Sequence, residues 1–263
     1  MRRRLTHPEI LLQNYGIVEP SEIDLETLAW LCGAKVREEK LDGCEAKIFG
    51  RKDKAIIIVN SKSSEQRKRF SIGHELGHWY YDKGRALTCH ANDESVGCNH
   101  SLYSATHPER VADDFASNLL MPNYMFQPLV RQYERSCFRA IEQLKDCFNT
   151  SFTATALRFI DISPEPAMLV CYDSNGKMAW FKRCPDLPDK LFPKRYLDTD
   201  TLAYEVFSGK SNRGYVGRIP ADAWFDDDSL SRFCIYEETI RIYGGQILTL
   251  LTWRNEKMLE RYY

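Results

Sequence analysis

His74, Glu75 and His78 stand within one short stretch, Ser71-Ile72-Gly73-His74-Glu75-Leu76-Gly77-His78, which reads H-E-x-x-H. On a helix, residues four apart share a face, so both imidazoles can reach one metal ion. Imidazole nitrogen is a good zinc ligand at about 2.0–2.1 Å. Glu75 follows the first histidine, and its carboxylate can reach a water held on that ion, where it would serve as the general base of a metallopeptidase. The plainer reading is an ordinary helix in which these residue types fall together by chance, and the spacing alone does not separate the two.

A second acidic group tips the balance. His107-Pro108-Glu109-Arg110-Val111-Ala112-Asp113 starts another helix, with proline suited to its first turn and acidic residues close behind. Glu109 and Asp113 are four apart and share a face. Glu109 can supply a third zinc ligand, and Asp113 can accept a hydrogen bond from the far nitrogen of a ligand histidine, fixing its tautomer. Two histidines and one glutamate leave a fourth position for water, the catalytic rather than the structural pattern. Read without metal, Glu109 and Asp113 are a solvated charge pair at a helix start.

These side chains need two helices and a frame. The pattern predicts a helix over 64–82 for the histidines and one over 109–122 for the acids. Upstream it predicts helices over 8–18 and 21–32, strands over 35–41 and 45–49 joined through Asp42-Gly43, and a buried strand over 55–59. Downstream it predicts helices over 124–133 and 137–148, then one over 153–160 capped by Thr150 or Ser151. Reading these helices as a DNA-binding helix-turn-helix is weaker than reading their apolar stripe as core.

The segments RFSIGHELGHWYYDKGR and PERVADDFASNLLMP together resemble the ImmA/IrrE metallopeptidase family. So do EIDLETLAWLCGAKV, LDGCEAKI, KAIIIVNS and FNTSFTATALRFI. H-E-L-G-H, E-x-x-A-D-x-F-A and L-L-M-P occur in the family's order, and the resemblance spans roughly residues 8–160. It implies a zinc-dependent endopeptidase that cleaves one dedicated partner, a helix-turn-helix transcriptional repressor. By the family pattern His74, His78 and Glu109 are ligands and Glu75 is the base.

Residues 83–107 form a long polar connection carrying Cys89-His90, Cys98 and His100. Loops of this length are seldom neutral filler. Three readings stand: a plain surface loop, a structural zinc on those four residues, or a thiolate that takes the open zinc position and blocks catalysis. A closer resemblance favours the third. H-E-L-G-H-W, G-R-x-x-x-C and P-E-R-x-A-D-x-F-A are similar to the CapP-type peptidases of CapH/CapP pairs in bacterial anti-phage (CBASS) operons. That resemblance implies Cys89 as an inhibitory zinc ligand, with Cys98 second, and single-stranded DNA as the trigger.

The chain has 263 residues, 43% hydrophobic and 28% charged, which suits a globular fold of two domains. Its net charge of −1 gives no global field for nucleic acid. No apolar run reaches the ~18 residues of a membrane span. Met-Arg-Arg-Arg lacks the apolar core of a secretory signal. Nine scattered cysteines read as reduced thiols in the cytoplasm rather than as a disulfide framework.

A linker is read at 161–166, which divides the chain into a peptidase domain over 1–163 and a second domain over 164–263. Strands over 167–172 and 178–181 bracket Asp173-Ser174-Asn175-Gly176, a helix falls over 199–207, and a second hairpin turns at Gly244-Gly245. Relatives carry a GAF-like sensor there; a substrate-docking scaffold is the alternative. Lys177, Lys182 and Arg183, interleaved with Trp180 and Phe181, suit single-stranded nucleic acid or an ordinary exposed strand. The expected fold class is α+β: a mainly helical zincin-like peptidase domain with a small sheet, then an α+β, GAF-like domain. The competing functions are a zinc-stabilised interaction module without catalysis and a DNA-binding regulator.

Overall fold

The structure, a computed structural model, describes residues 4–82, 108–210 and 216–262, together with the main chain of 87–90. It is an α+β fold, as expected. Two compact units emerge: Met1–Leu129 with Gln143–Thr155, and Val130–Glu142 with Ala156–Tyr263. The proline-bearing stretch 161–166 lies inside the second.

In the first unit, α1 (His7–Asn14) and α2 (Leu25–Leu31) precede three strands, β1 (Ala34–Glu39), β2 (Ala46–Arg51) and β3 (Lys54–Asn60). α2 starts at Asp24, whose carboxylate accepts from the amides of Glu26 and Thr27. α3 (Glu65–Asp82) follows, then a short strand β4 (Leu87–His90), then α4 (Pro108–Leu120) and α5 (Asn123–Val130). The sheet order is β1-β3-β2-β4, with β1 parallel to β3 and the other pairs antiparallel.

That order corrects one expectation. The strands either side of Asp42-Gly43 are not neighbours, because β3 lies between them. The Ile56–Val59 run is the most apolar of the three and takes the central place, where both edges are paired. The connection before β2 is a wide loop rather than a tight turn. Asn60 holds it by donating from Nδ2 to the carbonyls of Leu41 at 3.0 Å and Cys44 at 3.2 Å. The tight turn comes one connection later, where Arg51 pairs with Lys54 and Lys52 adopts φ 57°.

One face of the sheet buries Ala34, Ala46, Ile48, Ala55, Ile57 and Val59 under the helices. α3 packs against β2 and β3 on this side. Its Leu76 and Trp79 are fully buried, and Trp79 donates its indole N–H to the Cys32 carbonyl at 2.9 Å. Burying those two side chains contributes on the order of 2–3 kcal/mol each. α3 therefore starts from a frame already fixed at its apolar face.

α6 (Phe138–Phe148) and α7 (Phe152–Ile160) are divided between the two units. Phe148 meets Phe126 in the first unit with ring centroids 5.1 Å apart. The α7 start is capped by Ser151, whose hydroxyl accepts from the Ala154 amide at 3.2 Å.

The second unit is built on a five-stranded antiparallel sheet. Its strands are β5 (Ala167–Tyr172), β6 (Met178–Arg183), β7 (Gly217–Pro220), β8 (Cys234–Arg241) and β9 (Ile247–Thr252), in the order β6-β5-β9-β8-β7. The β5–β6 and β8–β9 hairpins fall where the turn residues predict, with Gly176, Gly244 and Gly245 all at positive φ. α8 (Leu202–Phe207) lies against β8. β8 begins at Cys234, ten residues before the turn glycine Gly244. Its Glu237 and Glu238 look like solvent-facing residues but are buried. Glu237 accepts from the amides of Leu202 and Ala203, from Trp224 Nε1 at 3.0 Å and from Thr239 Oγ1 at 3.1 Å, so it caps α8 from below. Glu238 accepts from the Phe138 amide at 2.8 Å. Among the described residues no helix is long and apolar enough to cross a membrane.

Candidate metal centre

α3 owes its length to a clean start and an uninterrupted interior. Ser64 accepts from the Arg67 amide at 3.3 Å, the N-terminal cap, and Lys68 reaches back to Glu38 of β1 at 2.8 Å. The two glycines, Gly73 and Gly77, face α4. A methyl group on Gly77 would lie 3.0 Å from both Ala112 Cα and Phe115 Cβ; one on Gly73 would lie 3.2 Å from Ala116 Cβ. Gly73 matches Ala116 and Gly77 matches Ala112, so the helices run antiparallel at near-backbone contact. That closeness lets two short acidic side chains of α4 reach the histidines of α3.

The reach is direct. His74 Nε2 and His78 Nε2 point at one another, 3.1 Å apart. Glu109 spans both, with Oε2 at 3.2 Å from His74 Nε2 and Oε1 at 3.3 Å from His78 Nε2. One donor atom from each of the three lies within 4.8 Å of the others, and among the described residues this is the one such group with metal-ligand chemistry. On the far side of the ring, His74 Nδ1 meets Asp113 Oδ1 at 2.9 Å. That contact makes Nδ1 the protonated nitrogen and leaves Nε2 as the one that turns toward Glu109 and His78.

Electrostatics agree with the geometry. Burial works against a charged His74, but hydrogen bonds to Asp113 and Glu109 outweigh it and lift its pKa to about 9. The same contacts with His74 and His78 hold Glu109 far below the usual carboxylate range. Glu75 is 3% exposed, and burial pushes its pKa up against the pull of the neighbouring histidines. Its Oε2 has no hydrogen-bond partner among the described residues. An orphaned buried carboxylate oxygen costs roughly 1–3 kcal/mol or more. Three carboxylates thus crowd two imidazoles, and a divalent cation is the group that this donor set fits. The set of two histidines and one glutamate is that of catalytic zinc.

Of the other residues singled out above, Cys98 and the side chain of Cys89 lie outside the described residues; the main chain of Cys89 sits in β4 opposite Ile48. Lys177, Lys182 and Arg183 lie in or beside β6. Lys182 pairs with Asp161 at 2.7 Å. Arg183 donates to the carbonyls of Pro188, Asp189 and Leu191 and sits over the rings of Phe181 and Phe192. The interlock of Gly73 and Gly77 with Ala112 and Ala116 escaped sequence reasoning, although small residues four apart on both helices signal it. Phe70 lies one turn before His74, with ring centroids 6.3 Å apart, on the motif's side of the helix.

Comparison with known proteins gives three results. Residues 32–159, just under half of the chain, match the peptidase M78 family model, described as the IrrE N-terminal-like domain. No curated protein matches. Among solved structures, a Mycobacterium tuberculosis transcriptional regulator is similar, with a TM-score of 0.57 and 14% identity over 93% of this chain and 74% of that one, a likeness of fold. The family match supports a metallopeptidase of the zincin kind and the ImmA/IrrE resemblance. The stretch that carries α3, α4 and every side chain of the candidate centre is therefore similar to the IrrE N-terminal-like domain of the M78 peptidases.

Proposed function

We propose that the chain is a zinc-dependent endopeptidase of the cytoplasm that cleaves a partner helix-turn-helix repressor and so switches on a stress or anti-phage operon. The observation that carries this reading is Glu75: a buried carboxylate with an unpartnered oxygen, beside three converging ligand groups. His74, His78 and Glu109 would hold the zinc, which when bound supplies Lewis acidity and an acidified water. Asp113 keeps the Nδ1 proton on His74 and so aims Nε2 inward. Glu75 would accept a proton at its free oxygen and return it to the leaving amine; burial raises its pKa, which favours holding that proton in transit. Cys89, or Cys98 in second place, would hold the resting enzyme inactive as an added ligand. Single-stranded DNA would release it. The second unit would be the sensor or substrate-docking domain.

The competing reading is a zinc-stabilised interaction module. A purely structural site has no use for a buried Glu75 with an unpartnered oxygen, which costs stability and is offset only by handling protons. The test is co-expression of the full chain with a candidate helix-turn-helix repressor, with and without single-stranded DNA, and mass analysis of the products. Two repressor fragments that vanish in Glu75→Gln are expected. An intact repressor under every condition, with zinc bound, would favour the module.

A further inference from the structure

The first-unit sheet has a second face, away from α3. Strand alternation places Lys35, Arg37 and Glu39 of β1, Lys54, Ile56, Ile58 and Asn60 of β3, and Lys47, Phe49 and Arg51 of β2 on it. Register sets them in rows: Lys35, Ile56 and Phe49 lie side by side, then Arg37, Ile58 and Lys47, with Arg51 beside Lys54 at the hairpin end. Lys35, Arg37, Arg51 and Lys54 are exposed, Phe49 is 41% exposed, and Ile56, Ile58 and Lys47 are half-buried. No ion pair engages any of the five cations among the described residues. Among the described strand residues of this face Glu39 is the one acid. A chain of net charge −1 thus concentrates five cations, none of them ion-paired among the described residues, around an apolar centre with an exposed aromatic ring.

We propose that this face binds single-stranded nucleic acid. The five cations complement a phosphate backbone, and Phe49, flanked by two flat isoleucine surfaces, offers a base a ring to stack on; charge plus stacking is how single strands are held without sequence preference. An acidic protein partner is the rival occupant. Lysine is depleted at protein interfaces, and three of the five cations here are lysines. The face, not the β6 stretch, then provides the landing place for the nucleic-acid trigger proposed above. It rests on that reading only for its consequence, because binding is measured without cleavage.

The test is fluorescence anisotropy of a labelled oligothymidylate with the full chain, titrated at several salt concentrations. The parent should bind, and its log–log salt slope should shrink in Lys35→Glu/Arg37→Glu/Lys47→Glu, with affinity down at least tenfold. Phe49→Ala should weaken binding about tenfold and leave the salt slope unchanged. Lys177→Ala should bind as the parent does. Arg37→Gln and Lys54→Gln, single changes at exposed positions, keep the question open to an answer if the triple variant misfolds, and each should cut both affinity and slope. Failure of the parent to bind at low salt, binding that ignores every sheet substitution, or equal competition by a polyglutamate peptide would overturn the proposal. Binding that persists in a chain unable to cleave would separate this surface from the peptidase reading.

Discussion

Asp113 Oδ1 lies 2.9 Å from His74 Nδ1, across the boundary between α4 and α3. In the neutral ring the contact puts the proton on Nδ1, so Asp113 would aim Nε2 of His74 toward a metal held by the candidate centre. Asp113→Ala should weaken zinc binding about ten- to a hundred-fold, read by chelator competition, with the helices intact by circular dichroism. Unchanged affinity would reduce the pair to a surface contact.

Glu109 and Glu75 should behave oppositely. Glu109→Ala removes one of three converging donors, and the purified protein should lose stoichiometric zinc by elemental analysis. Glu75→Gln should keep its zinc while cleavage falls about a hundred- to ten-thousand-fold. Retained turnover in Glu75→Gln would remove it as the base.

The helix interlock predicts a graded series. Gly77→Ala meets backbone and Cβ atoms at 3.0 Å and should cost about 1–3 kcal/mol in urea melts, together with zinc affinity. Gly73→Ala meets the Ala116 methyl at 3.2 Å and its Cα at 3.3 Å, so Ala116→Gly, which removes the first contact, should recover part of its loss. Additive costs would mean that the two helices do not touch there.

In chelator, the metal-free protein should lose stability as pH rises. His74 binds its proton more tightly folded, at about 9, than its ordinary 6.5, so the folded state holds more protons between those values. The contribution is whole below about 6.5 and gone above about 9, and urea melts across that window read it. Zinc uptake runs the other way, strengthening as the proton leaves. A flat profile in Asp113→Asn would tie the effect to this pair.

Cys89→Ala should raise basal cleavage without any trigger, scored by repressor fragments in the co-expression assay. Flat basal activity would pass the inhibitory role to Cys98 or end it.

The side chains of the candidate centre were legible because each of their patterns is local to one helix. His74, Glu75 and His78 lie on one helix, and Glu109 and Asp113 fall on one face of the next, so spacing marked each pair, while the family resemblance, not spacing, set Glu109 beside the two histidines, where the structure places it. What escaped was non-local. β3 takes the place between β1 and β2 through pairings that no turn signal announces. Nothing local marks Glu237 and Glu238 as buried, because their partners, the α8 amides, Trp224 and the Phe138 amide, are far away in sequence. Gly77 of H-E-L-G-H and Gly73 just before it were seen as part of the stretch, while their use, letting another helix come close, required knowing which helix.

The place of β3 between its two neighbours also orders how the unit can assemble. β2 and β3 meet through a two-residue hairpin and can pair as soon as both have left the ribosome. β1 is made earlier but runs parallel to β3, so its ladder partner does not exist until Asn60 has been synthesised. Until then the first strand of the sheet has exposed amides on both sides, and the hairpin is the template on which it, and then the overlying helix, must settle.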